Sequence, residues 1–157
     1  MTDIGALAID RPTGGYDPGY TDINLTNPAN MSGTITSVDI YAVSILYNFI
    51  VGIFYLVSGT TYKCRSIYSI GTVSAGLNTY PVSLIVRYGD YIGHYYEGGK
   101  IEASTSEEGG IYDTEGNYVQ VDSEHSYELY AGHATSCYGK GLEGMGNSVA
   151  ISPYMML

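Results

Sequence analysis

The sequence predicts one all-β domain, an antiparallel β-sandwich of jelly-roll type. Three observations carry that expectation. β-Branched and aromatic residues recur in short runs along the whole chain. Gly, Asn, Pro and Asp interrupt those runs where turns are needed. No stretch combines an apolar 3.6-residue spacing with a charged opposite face, as a surface helix would. The 157 residues suit a single domain with its own core, spanning 1–157, and an apolar tail is expected at about 142–157.

The elements follow in order. Residues 3–9 read as a first strand, and 10–19 as a loop rich in Pro and Gly. Residues 20–25 form a second strand, ended by Thr26-Asn27-Pro28-Ala29-Asn30. In a third, 34–43, Val38, Ile40 and Ala42 share one face. Ile35 is out of phase with them, which predicts a bulge near Thr36-Ser37. Residues 49–57 are apolar on both faces, as in a strand covered on both sides. A helical stripe through Val38, Ala42, Ile45, Leu46, Phe49, Ile50 and Ile53 competes with this reading. Against it stand the β-branched and aromatic content, a turn at 44–48, and the lack of any charge between Asp39 and Lys63.

Strands are then expected at 60–71, 80–87, 91–96, 100–104, 110–112, 118–121 and 127–138. Turns fall at Ser74-Ala75-Gly76 and Tyr88-Gly89-Asp90, and 151–157 reads as an apolar tail or a last short strand. Core positions are assigned to Val38, Ile40, Val51, Ile53, Leu84 and Val86.

Composition excludes several roles. The net charge is −10, and the six basic residues are scattered. A nucleic-acid surface or an anionic membrane surface needs clustered cations, so neither partner is expected. The apolar stretch 45–57 is too short to span a bilayer. The first residues show no basic and apolar leader, so no secretory signal is predicted. Cys64 and Cys137 then read as buried free thiols rather than a disulfide. The chain has 18 tyrosines and no tryptophan. Tyrosine suits strands, and it also suits surfaces covered by a neighbour or by the flat face of a sugar.

Chemical motifs are few. Gly139-Lys140-Gly141-Leu142-Glu143-Gly144 matches a dinucleotide fingerprint by letter only, because no helix can follow it; it reads as a flexible tail. Acidic loops raise calcium as the one metal to consider, with Asp113, Glu115 and Asp122 as candidate ligands; solvated loops are the alternative, and no cofactor is expected. Asp10, Asp17 and Asp22 form a second acidic stretch. His133 and Cys137 would share a strand face but lack a third zinc ligand. No nucleophile elbow is present, and no catalytic residue is assigned.

Several segments are familiar together. They are 4–11, 27–41, Gly89-Asp90-Tyr91-Ile92-Gly93 with Ile101-Glu102, Tyr130-Ala131-Gly132, and 136–141. Over nearly its full length the chain resembles short uncharacterised β-sandwich proteins of phage and environmental sequences. The resemblance implies a jelly roll whose first and last strands pair, with Gly89-Asp90 as a hairpin turn. It also implies a phage structural protein, made in the host cytoplasm and carried in the virion as a capsid decoration, head fibre or tail component. Such a protein would act without catalysis, as a homo-oligomer in contact with other virion proteins. The expected contact residues are Tyr41, Tyr95 and Tyr96, with Tyr154, Met155 and Leu157 of the tail. The alternative function is a carbohydrate-binding module, for instance toward a cell-surface glycan.

Overall fold

The computed structural model describes residues 1–106 and 108–144. Every regular element among them is a strand. The first seven are β1 (Thr2–Ala6), β2 (Tyr20–Asn24), β3 (Gly33–Ala42), β4 (Leu46–Ser58), β5 (Thr61–Val73), β6 (Gly76–Val86) and β7 (Tyr91–Tyr95). Then come β8 (Ala103–Ser104), β9 (Ile111–Glu115), β10 (Glu124–Ser126), β11 (Glu128–Tyr130), β12 (Ala134–Thr135) and β13 (Cys137–Glu143).

Pairing is antiparallel and nested. β4 pairs with β5, β3 with β6, β2 with β7, and β1 with β13. A long two-stranded ribbon folded over on itself gives this order, and that is the jelly roll. One sheet runs β1-β13-β3-β6; the other contains β5-β4-β7-β2 and is widened by β9, β10 and β11. The remaining strands β8 and β12 form a separate short ribbon within the insertion that joins β7 to β13.

The main core lies between the sheets. Val38, Ile40, Val51, Ile53, Leu84 and Val86 are all buried in it. The bulge on β3 falls between Ile35 and Ser37 and rotates Ile35 back onto the core face. Residues 46–58 form one strand rather than a helix, although Asn48 takes a positive φ of 53° and the register slips beside it.

The wider sheet has a second core on its far side. β10 and β11 are separated only by Tyr127; β10 pairs with β5 at one edge of the sheet, and β11 with β9 at the other. The two edges are thereby joined, and the sheet curls into a nearly closed barrel. Inside it sit Ile23, Phe54, Tyr62, Cys64, Val119 and Tyr127. The Tyr62 ring lies 5.0 Å from Tyr112 and 5.8 Å from Tyr91. Gly52 and Gly93, opposite each other on β4 and β7, leave room for this filling: a Cβ on Gly93 would stand 2.8 Å from the Phe54 ring.

Several expectations are corrected. Residues 139–144 are not a flexible tail, because Gly139 and Gly141 lie within β13 between β1 and β3. A Cβ on Gly141 would overlap the Thr34 carbonyl, so the glycines are there for close strand packing. Leu142 and Glu143, assigned to the tail, belong to the same strand. The run 127–138 is broken into three strands, and 118–121 is not a strand. Gly89-Asp90 is not a hairpin turn: β6 and β7 lie in different sheets, so the turn crosses between them. Asp90 anchors that crossing, accepting two bonds from Arg65 at 2.7 and 3.1 Å and one from the Arg87 N–H at 2.9 Å. Cys64 and Cys137 are free and buried, one in each core, and burial pushes both thiols up to about 12.

Candidate functional site

Polar groups concentrate at one end of the sandwich, on the inner face of β2, β7 and β9. Alternation sends Ile23 into the barrel, so Asp22 and Asn24 turn toward the other sheet. On β7 the same alternation turns Ile92 and His94 inward, with Tyr96 just beyond the strand; the His94 ring lies 5.5 Å from Phe49 and 5.9 Å from Tyr96. Asp22 stands directly opposite His94 on one side and Asp113 on the other.

Asn24, His94 and Thr135 form a closed set. Asn24 Nδ2 donates to Thr135 Oγ1 at 2.9 Å, the Thr135 N–H donates to Asn24 Oδ1 at 3.0 Å, and His94 Nε2 bonds Thr135 Oγ1 at 2.8 Å. Burial pushes the His94 ring down to about 3, so it is neutral.

Asp22 has no such set. It is fully buried, and neither carboxylate oxygen meets a donor; His94 Nδ1 is also unpartnered. Burial raises the Asp22 carboxyl well above its ordinary value, and Asp113 raises it further. Burial and the neighbouring Asp113 both favour the protonated, neutral form of Asp22.

In front of this pair is a surface pocket of about 240 Å³, lined by Tyr16, Asp17, Tyr20, Asp113, Tyr130 and His133. The Tyr16 hydroxyl bonds His133 Nδ1, and Tyr16 is itself fixed by the Tyr96 hydroxyl, which donates to its carbonyl at 2.6 Å. Burial raises the Tyr16 phenol, with Asp22 and Asp113 adding to the effect. Only Asp113 of the carboxylate pair faces the pocket, so the two carboxylates do not bracket a ligand as a glycosidase pair would.

The acidic residues singled out in the sequence are redistributed. Asp113 joins Asp22 and Asp17, from the other acidic stretch, while Glu115 ends β9 and Asp122 lies in an exposed turn at a φ of 67°. Among the described residues no group of three or more His, Cys, Asp or Glu side chains is placed to hold a metal. His133 lines the pocket and Cys137 lies in the main core, so they form no joint site.

The expected contact residues also separate. Tyr96 is corrected to a core residue, 1% exposed and stacked on Phe49 at 5.9 Å. Tyr95 is half-buried and packs against the barrel core. Tyr41 is half-buried on the outer face of the four-stranded sheet, opposite Leu77. Tyr154, Met155 and Leu157 lie outside the described residues.

That outer face is the second notable surface. Along β6, every second side chain is exposed. Leu142 on β13, Thr34 on β3 and Ile85 on β6 are in register across the sheet, and Met1 precedes β1 beside them. Met1, Leu142 and Ile85 are 73%, 67% and 64% exposed.

No protein-family model matches the chain, and no curated protein matches it.

Proposed function

We propose that the protein is a non-enzymatic structural module that self-associates through the outer face of its four-stranded sheet, as a component of a virion-type assembly. The observation that carries this reading is the exposed apolar pair Leu142 and Ile85, in register with each other through Thr34 across that face, with exposed Met1 just before β1. Scattered apolar side chains are ordinary on a surface, but a row aligned over neighbouring strands is the pattern of a contact patch. The middle of the face supplies polar pairs, Lys140 with Asp39 at 3.2 Å and Thr79 with Asp39 at 2.7 Å, which suits an apolar patch with polar neighbours.

The mode of contact is face to face. The free edge of β1 is occupied by the loop at 27–30: the Gly5 N–H donates to the Asn27 carbonyl at 2.8 Å, and the Asp3 N–H to Asn30 Oδ1 at 2.8 Å. Strand addition at that edge is thereby blocked. Light scattering over a concentration series tests the reading. The wild type should form a defined oligomer, and the double variant Ile85→Lys/Leu142→Lys should be a folded monomer of 16.9 kDa whose melting temperature does not depend on concentration. A wild type that is monomeric at every concentration would overturn it.

A further inference from the structure

We propose that the pocket formed by Tyr16, Tyr20, Tyr130, His133, Asp17 and Asp113 is a binding site for an organic cation, a protonated amine or quaternary ammonium group. The proposal does not rest on self-association.

Two independent features point to a single positive group. The first is the wall. Three tyrosines and a histidine line a space of about 240 Å³, and aromatic faces attract a cation within about 6 Å of the ring centre. The volume is below the range of about 300–1,000 Å³ usual for a whole drug-sized ligand, so it suits a head group.

The second feature is the negative charge of the wall itself. Asp113 and Asp17 both line the pocket, and Asp22, fully buried beside Asp113, offers it no positive partner. Glu128 stands close enough to Tyr130 to raise its phenol, which adds a further acid beside the site. The nearby cation is Lys100, 3.4 Å from Asp17, but both side chains are largely exposed and such a pair is weak.

Other ligand classes fit less well. Calcium takes six to eight oxygens, and among the described residues no group of three or more His, Cys, Asp or Glu side chains is placed to hold a metal. A sugar hydroxyl needs donors as well as acceptors. Tyr16 already spends its hydroxyl on His133, and the carboxylates only accept when ionised. An ammonium group needs acceptors and ring faces, and the pocket has both.

The test is a set of NMR titrations of the whole chain, following the signals of Tyr20, Tyr130 and His133. The probes are choline chloride, its uncharged isostere 3,3-dimethylbutan-1-ol, calcium chloride and methyl β-glucoside. Choline is expected to shift all three residues at millimolar concentration, and the isostere to leave them unmoved. Asp113→Asn should weaken choline binding at least tenfold. Tyr130→Ala should weaken it several-fold, with an unchanged far-UV spectrum showing that the variant is folded. The proposal is overturned if choline shifts none of the three, if the isostere binds as well as choline, if calcium or the glucoside produces the same shifts more tightly, or if both variants bind choline like the wild type.

Discussion

The outer faces of the two sheets have opposite fates. The seven-stranded sheet curls over its outer face and closes on Phe54, Tyr62, Val119 and Tyr127, so that face becomes a second core. Among the described residues nothing covers the outer face of the four-stranded sheet, where Met1, Leu142 and Ile85 are exposed. The difference comes from the insertion between β7 and β13. It carries the strands that pair with β5 and β9, and it contributes none to the four-stranded sheet. One apolar face is therefore covered by inserted chain, and the other carries no such insertion.

The comparison can be broken by substitution, and the largest effect is expected inside the curl. Phe54→Ala should cost about 3–5 kcal/mol, because the ring fills the barrel and covers both Gly52 and Gly93. Urea unfolding measures this. Next is the turn that crosses between the sheets. Asp90→Ala leaves the Arg65 guanidinium and the Arg87 N–H without their partner, and a loss of about 2–4 kcal/mol is expected by the same assay.

The polar end of the sandwich gives a pH signature. Asp22 holds its proton more tightly when folded, so stability falls as pH rises above the ordinary aspartate value of 3.8. His94 does the reverse: its ring is pushed down to about 3, so stability falls as pH drops below 6.5. The two slopes oppose each other, and the Asp22 slope on its own is a decline in melting temperature as pH rises from 3.8 toward its raised folded value. Asp22→Asn should remove that decline and stabilise by about 1–3 kcal/mol at neutral pH, since an amide can donate to Asp113 without a proton being taken up. The smallest effect belongs to the open face. Ile85→Lys should change stability by less than about 0.5 kcal/mol while altering association.

Much of the frame was legible in the sequence. Val38, Ile40, Val51 and Ile53 show their burial by alternation, and the phase slip at Ile35 marks the β3 bulge. What was hidden has physical causes. β13 is silent because its inner positions Gly139 and Gly141 have no side chain to reveal a period, and their reason for being glycine is the backbone of a strand far away in sequence. Tyr95 and Tyr96 must point to opposite faces, but alternation cannot say which face is core. Packing against Phe49 decides it for Tyr96. The pocket was illegible because its acids come from two separate stretches: Asp17 on one side, Asp113 on the other. Only the β2–β9 register brings Asp22 and Asp113 together.

Thiol labelling tests most directly whether the open face is a contact surface. The native cysteines are fully buried, so a cysteine placed at Ile85 reports on that face alone. Val121, exposed in the insertion, serves as the reference position. Labelling of Ile85→Cys should slow as protein concentration rises, while labelling of Val121→Cys stays constant. Equal, concentration-independent rates at both positions would contradict self-association through the four-stranded sheet.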